Sequence, residues 1–193
     1  MSADPMYLRN LRRYARSQIL TPEEAPAQLA DFGKESDRGA IILAATNVED
    51  SLELALTAKM PALALDKEAA SAVFGSEGTL STYFDKTLIA YALGLIEKKD
   101  RKNIDLIRHI RNACAHSRKP LSLEMPVLVD AVKAAVSPEL FALRKDDKPF
   151  TLRIAFILHC AAVSHYILTG ERKTPDEMTK KAMKNPPPRP TQR

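Results

Sequence analysis

The chain has 193 residues, of which 45% are hydrophobic, 27% charged and 6% aromatic. That length suits one domain whose core needs no disulfide or metal, and the apolar content argues against intrinsic disorder across the chain. No run reaches the roughly 20 apolar residues of a membrane span, and the N-terminus lacks the apolar core of a secretory signal. We therefore expect a cytoplasmic protein with no membrane partner.

The net charge of +5 lies at the two ends of the chain. Residues 171–193 carry seven Lys and Arg against three acids, and residues 1–16 carry four Arg against one Asp, which leaves residues 17–170 with a net charge of −2. The body is therefore not basic, and basic ends are most often solvated tails. The two cysteines, Cys114 and Cys160, have neither disulfide nor metal-ligand spacing and are expected in the core.

Helical signals begin near the N-terminus. An amphipathic stretch covers residues 7–19, and Thr-Pro-Glu-Glu at residues 21–24 is a helix start with Thr as the N-cap. A long helix is predicted over residues 36–60 and is ended by Pro61. Its buried stripe is predicted to consist of Ile41, Ala45, Val48, Leu52 and Leu56.

Further helices are predicted downstream of a loop marked by Gly75 and Gly78. One covers residues 79–95, a second covers residues 100–116, and shorter helices begin at Pro126 and at residues 137–139. A core helix over residues 150–168 ends at Gly170. The helix over residues 79–95 is expected to turn the following side chains inward: Tyr83, Leu88, Tyr91 and Leu95.

The C-terminal segment combines a helix start at residues 174–177 with a Pro-Pro-Pro-Arg-Pro run after Asn185. It is predicted to form a short helix followed by an extended, disordered basic tail. No strand-like alternation of useful length and no internal repeat occur. The fold class is therefore predicted to be all-α, a single bundle of about six helices. We expect N-terminal helices over residues 1–31, the bundle over residues 32–170 and the tail over residues 171–193.

The most informative segment covers residues 103–119, placed on a helical wheel at about 100° per residue. The apolar side chains share one side of the wheel: Leu106, Ile107, Ile110, Ala113 and Cys114. The polar ones share the other: Arg108, His109, Arg111, Asn112 and His116. Only one acid, Asp105, is within reach of these cations. They therefore do not neutralise one another as the charges of a mixed Lys/Glu surface do, and the polar face is better suited to binding an anion.

Residues 111–116, Arg-Asn-Ala-Cys-Ala-His, match the pattern of HEPN domains, which are all-helical and often pair as dimers. More broadly, residues 32 to about 124 resemble the mannitol-repressor (MltR-like) family. That resemblance rests on Ser-Asp-Arg-Gly-Ala at 36–40, the helix over 47–56, Tyr-Ala-Leu-Gly-Leu-Ile at 91–96 and Ile-Arg-His-Ile-Arg-Asn at 107–112. The HEPN resemblance implies a homodimer.

The two resemblances imply different functions. The MltR-like one implies a regulatory or interaction protein that acts in transcriptional repression through protein partners. Direct reading of DNA is not expected, because the sequence has no basic recognition helix, zinc-finger spacing or basic zipper. The HEPN one implies a metal-independent endoribonuclease, in which Arg111 stabilises phosphate charge and His116 moves a proton at a ribose oxygen.

The candidate catalytic residues are Arg111, Asn112 and His116. The candidate supporting, RNA-binding or partner-binding residues are Asp37, Arg38, Arg108 and His109. Asn112 lies one turn from His116 and could orient its imidazole, and Asp37 could brace the Arg111 helix through a buried pair. Because Arg111 and His116 lie about 140° apart on an ideal helix, they would converge only at a frayed helix end or across a dimer.

Two weaker patterns are predicted to be structural. Glu49 and Glu53 lie one turn apart beside Asp50, but no Glu-x-x-His helix accompanies them, so an ion-paired or solvated face is favoured over a metal site. His159 and His165 are expected to be core or interface histidines. No metal site and no cofactor are predicted.

Overall fold

The computed structural model describes residue 32 and residues 35–142, 144–145, 148–149 and 151–172. Eight α-helices follow one another in this part of the chain: α1 (Asp37–Lys59), α2 (Pro61–Leu65), α3 (Lys67–Phe74), α4 (Tyr83–Ala92), α5 (Lys98–His116), α6 (Pro126–Ala135), α7 (Pro138–Ala142) and α8 (Leu152–Thr169). Before α8, β1 (Arg144–Lys145) pairs antiparallel with β2 (Lys148–Pro149), each only two residues long. The all-α prediction is confirmed.

The count is eight rather than about six because short helices fill residues 61–74, where none is predicted. Pro61 ends α1 but also begins α2, since a missing N–H is harmless at the first helical position. Asp66 then caps α3 by accepting from the amides of Glu68 and Ala69, each at 3.0 Å.

The first long helix forms as predicted. Ser36 is its N-cap and accepts from the Gly39 amide at 3.1 Å, while Asp37 in the first turn complements the helix dipole. All five predicted stripe residues are buried. α1 packs against α8, α5 and α4 and is therefore the centre of the bundle.

The fourth helix begins later than predicted, and the set of side chains that it buries differs from the predicted set. Thr82 caps it by accepting from the Asp85 amide at 3.1 Å, so the helix begins at Tyr83 rather than near residue 79. Its buried side chains are Tyr83, Lys86, Thr87 and Ala90, whereas Leu88, Tyr91 and Leu95 are only half-buried. The prediction is confirmed for Tyr83, and Tyr91 and Leu95 pack against the edge of the core. It misses Lys86, because an inward lysine contradicts the hydrophobic pattern.

The fifth helix also turns a different face to the core. Its buried residues are Ile104, Ile107, Ile110 and Cys114. Leu106 is half-buried and packs against the core, whereas Ala113 is exposed and was wrongly placed there. Relative to the predicted wheel, the buried face is rotated by about 60° toward Arg111.

The last three helices start where their sequence signals lie, at Pro126, at Pro138 and after the N-cap Thr151. Gly170 ends α8 with a φ of 74°, a left-handed conformation that glycine adopts without strain. Among the described helices, α8 alone is long and apolar enough to cross a membrane. The central helix of a helical bundle meets the same criteria, so this property assigns no membrane role.

Several predictions concern residues outside the described part of the chain. They are the helix over residues 7–19, the helix start at residue 21, and the short helix and tail that begin at residue 174. The two cysteines lie in the described part, and both are buried and free, as predicted.

Candidate functional site

Arg111 is a half-buried cation that has no carboxylate partner in the part of the chain that the structure describes. Its Nη1 donates to Asn112 Oδ1 at 3.1 Å, and its Nε is buried without a hydrogen-bond partner. A guanidinium presents five N–H donors in a planar fork. Most of that capacity is unused here, so the side chain is suited to an acceptor from outside the chain.

The surroundings of Arg111 keep its charge uncompensated. One titratable group on α4 that interacts with Arg111 is Tyr83, whose buried hydroxyl makes no hydrogen bond to the described residues. Burial, together with the Cys160 and Glu49 groups, raises the pKa of Tyr83, although the Arg111 and Arg108 charges oppose this rise. Tyr83 therefore stays neutral at physiological pH and cannot serve as the missing anion.

His116 is the last residue of α5 and is exposed to solvent. It makes no hydrogen bond or ion pair within the described residues. Asn112 does not orient the imidazole, because its Oδ1 accepts from Arg111 instead. The structure thus places the three candidate catalytic residues on one helix, with Arg111 turned partly inward and His116 outward.

Asp37 and Arg38 hold the end of α5 against the start of α1. Arg38 donates to the carbonyls of Ala115 at 2.9 Å and Ser117 at 3.1 Å, which satisfies two acceptors that a helix C-terminus leaves open. Asp37 Oδ2 accepts from the Leu123 amide at 2.9 Å. These contacts fix the backbone that carries His116.

Asp37 also forms an ion pair with Arg153 of α8 at 3.6 Å. Its contacts therefore run to α8 and to the segment after α5, and the expected pairing of Asp37 with Arg111 does not form. Arg153 in turn donates to the carbonyls of Phe32 and Glu35. α5 is instead held against α1 by Arg38, which donates hydrogen bonds to backbone carbonyls at the end of α5 and not to Arg111.

Arg108, unlike Arg111, has its charge matched. Its Nε lies 3.2 Å from Asp105 Oδ1, its Nη2 lies 3.2 Å from His109 Nε2, and its guanidinium carbon lies 5.4 Å from the centre of the Phe84 ring. His109 itself is exposed. This pairing leaves Arg111 as the unmatched cation among the predicted site residues on α5.

Residues 106–116 of α5 include no lysine or glutamate, so the outer surface there carries no long aliphatic charged side chain of those two types. It combines the exposed residues His109, Ala113 and His116 with the half-buried Leu106 and Asn112. We call this set the α5 outer face. Phe84, 41% exposed, lies on the neighbouring helix α4, and its ring packs under the guanidinium of Arg108.

Three of the four carboxylates of α1, those of Glu49, Asp50 and Glu53, form a structural cluster around Lys86, which is only 5% exposed. Its Nζ lies 3.2 Å from Glu49 and 2.9 Å from Glu53, which confirms the ion-paired interpretation. Although burial lowers the pKa of Lys86, the two glutamates outweigh this effect and raise it. Burial and the neighbouring Glu49 raise the pKa of Asp50 to about 6.

A cleft of about 240 Å³ at the other end of α5, lined by both polar and apolar side chains, was not predicted. There His159 of α8 lies 2.8 Å from Asn103 Oδ1, and Asn103 Nδ2 donates to the Ala135 carbonyl at 2.6 Å. Burial lowers the pKa of His159 to about 4, so the imidazole is neutral at physiological pH. The sequence carries no signal for this cleft, because its walls come from three helices that are far apart in the chain.

Comparisons with known proteins give no relative for this chain. No known family model matches it. No curated protein and no solved structure matches it either.

Proposed function

We propose that this chain is a cytoplasmic helical regulatory module that acts on a protein partner through the α5 outer face and Arg111. The observation that carries the proposal is the half-buried guanidinium of Arg111, which has no carboxylate within the described residues. A charge in such a place gains most from a partner that brings the missing anion, because partial burial weakens solvent screening. The partner we propose therefore presents a carboxylate to Arg111.

The composition of the surrounding surface supports a protein partner. The α5 outer face holds two histidines, an alanine and a leucine but no lysine or glutamate, and long charged side chains are depleted at interface cores. Phe84 adds an exposed aromatic ring on the neighbouring helix. Arg38 and Asp37 hold the end of this face rigid, which reduces the entropy that docking would cost.

A site-specific crosslink tests this proposal. We would place a benzoyl-phenylalanine photo-crosslinker at Ala113, on the α5 outer face, and in a second protein at Ala134, an exposed alanine of α6. We expect Ala113 alone to give one adduct of defined mass in cells, and we expect Arg111→Met to abolish it. Equal adducts from both positions, or an adduct that survives Arg111→Met, would refute the proposal.

The second candidate is a metal-independent endoribonuclease, which is favoured by the exposed His116 because its imidazole makes no hydrogen bond within the described residues. Phosphate could be the anion that Arg111 lacks, and an exposed imidazole could reach a ribose oxygen. Since Arg111 and His116 diverge on one helix, we propose that this activity needs a homodimer, in which one copy supplies arginine and the other histidine.

One assay separates the two candidates. The full chain is incubated with labelled single-stranded RNA in EDTA, beside His116→Ala and beside Lys133→Ala as a control for an exposed cation on α6. The regulatory proposal expects no cleavage by any of the three proteins. Cleavage that His116→Ala abolishes and Lys133→Ala retains would favour the ribonuclease, and light scattering would then have to show a dimer.

A further inference from the structure

The segment after α8 places a guanidinium in a complete recognition site at the start of α5. Arg172 Nη1 lies 2.9 Å from Asp100 Oδ1, and its Nη2 lies 2.7 Å from Asp100 Oδ2. The same Nη2 lies 3.4 Å from Glu97 Oε2, and the guanidinium carbon lies 4.1 Å from the centre of the Tyr166 ring. A bidentate carboxylate and an aromatic face together select a guanidinium over an ammonium.

The groups that receive the guanidinium are held in place independently of Arg172. Asp100 Oδ2 also accepts from the Glu97 amide at 3.1 Å, which fixes the carboxylate to the first turn of α5. Tyr166 belongs to α8 and packs against the hydrophobic core. The Asp100 side chain is only 12% exposed, whereas that of Arg172 is 45% exposed. The receptor is thus rigid, and its occupant lies at the surface.

A cleft continues beyond the guanidinium, and Arg172 lines it without filling it. Leu140, Ala162 and Val163 provide apolar walls, while His159 lines it beside Asn103. Because Asn103 Nδ2 donates to the Ala135 carbonyl, its Oδ1 must accept from His159 Nε2. The neutral imidazole therefore keeps Nδ1 as a hydrogen-bond acceptor. An aliphatic stem and a donor group, in addition to a guanidinium, would suit this space.

We propose that the cleft between α5, α7 and α8 is a binding site for an arginine-type ligand and that Arg172 occupies its guanidinium pocket as an internal competitor. The ligand guanidinium replaces that of Arg172 on Asp100 and Tyr166, and its stem lies along the apolar walls. This site is separate from the α5 outer face and does not depend on the function proposed for it.

The test uses the full chain and two probes, N-acetyl-L-arginine methylamide as a peptide mimic and free L-arginine, titrated by two-dimensional NMR. Arg172→Ala should bind at least one probe saturably, about tenfold more tightly than the unmodified chain, because the competitor is removed. Binding of the blocked probe points to an arginine of a peptide, and binding of the free amino acid alone points to a small molecule.

Matched variants make the test specific. N-acetyl-L-lysine methylamide should bind Arg172→Ala at least about tenfold more weakly, since it cannot form two parallel hydrogen bonds. Adding Asp100→Asn, which keeps an acceptor for the Glu97 amide, or Tyr166→Leu should abolish binding of the arginine probes. The proposal is overturned if folded Arg172→Ala binds neither arginine probe, binds as the unmodified chain does, or does not distinguish arginine from lysine.

Discussion

The bundle contains two cations with restricted solvent exposure, the buried Lys86 and the half-buried Arg111. They differ in whether carboxylates of the fold neutralise their charge. Lys86 lies between Glu49 and Glu53, at 3.2 and 2.9 Å. Within the described residues, Arg111 donates to the amide oxygen of Asn112, and its buried Nε has no hydrogen-bond partner. Removing one member of a buried ion pair destabilises a fold, because the remaining charge is left uncompensated. The contrast therefore suggests that Lys86 serves the fold and Arg111 serves a contact with another molecule.

The largest effect is expected at the paired cation. Lys86→Met should lower the free energy of unfolding by about 3–5 kcal/mol, because it leaves Glu49, Asp50 and Glu53 together without their counter-charge. Urea denaturation at pH 7 measures this loss. Glu53→Gln, which keeps one glutamate on Lys86, serves as the milder control and should cost clearly less. A loss below about 1 kcal/mol for Lys86→Met would show that the cluster is not structural.

The second largest effect concerns His159, which belongs to neither cation site. We expect this residue to make the fold less stable in acid. Its pKa in the fold, about 4, lies below the ordinary value of 6.5, so the unfolded chain binds the proton more tightly. The stability that this residue contributes is complete above pH 6.5 and is lost as the pH falls toward 4. Between pH 7 and pH 5 we expect a loss of about 2 kcal/mol.

His159→Gln, which can still donate to Asn103, should remove that acid sensitivity. Urea midpoints at pH 7 and pH 5 report the difference between the two proteins. An unchanged pH dependence in the variant would mean that His159 is not the group responsible.

A smaller loss is expected at the brace between α1 and α5. Arg38→Ala removes both hydrogen bonds to the carbonyls of Ala115 and Ser117 and should cost about 1–3 kcal/mol, while Arg38→Lys should recover part of this. Thermal melting measures the cost, and hydrogen exchange of the last turn of α5 locates it. Unchanged protection in that turn would contradict the bracing role.

Asp50 provides the smallest of the stability effects, and its sign is opposite to that of His159. Its pKa of about 6 in the fold exceeds the ordinary 3.8, so ionisation disfavours the folded state as the pH rises through that interval. Asp50→Asn should therefore stabilise the chain at pH 7 by about 1–2 kcal/mol and leave it nearly unchanged at pH 3.5. Equal effects at both pH values would place the cause elsewhere than in the charge.

The sequence predicts the helical class and the path of α1 well, because capping signals and an uninterrupted apolar stripe agree there. It fails on α4 and α5 for one physical reason. Lys86 is buried because Glu49 and Glu53 of another helix neutralise its charge. Ala113 is exposed because the buried face of α5 includes Ile104, which lies on the opposite side of that helix. Which side chains are buried on these helices depends on contacts between helices, and the residue pattern of a single helix does not contain that information.

The sequence offers candidate site residues but does not indicate which contacts they make in the fold. Spacing alone identifies the polar group Arg111, Asn112 and His116 on one helix. It cannot show that Asn112 accepts a hydrogen bond from Arg111 and makes none with His116. Nor can it show that Arg38 donates to backbone carbonyls. The Arg172 pocket has no sequence signal, because Asp100 and Tyr166 meet only in the folded bundle.

The most direct test of the contrast between the two cations is Arg111→Met, measured beside Lys86→Met. If Arg111 serves a partner, its replacement should change the free energy of unfolding by less than about 0.5 kcal/mol, while abolishing the Ala113 crosslink. Chemical denaturation and the crosslink are measured on the same protein. A loss of several kcal/mol, comparable with that of Lys86→Met, would instead show that Arg111 is a structural residue and would contradict the account.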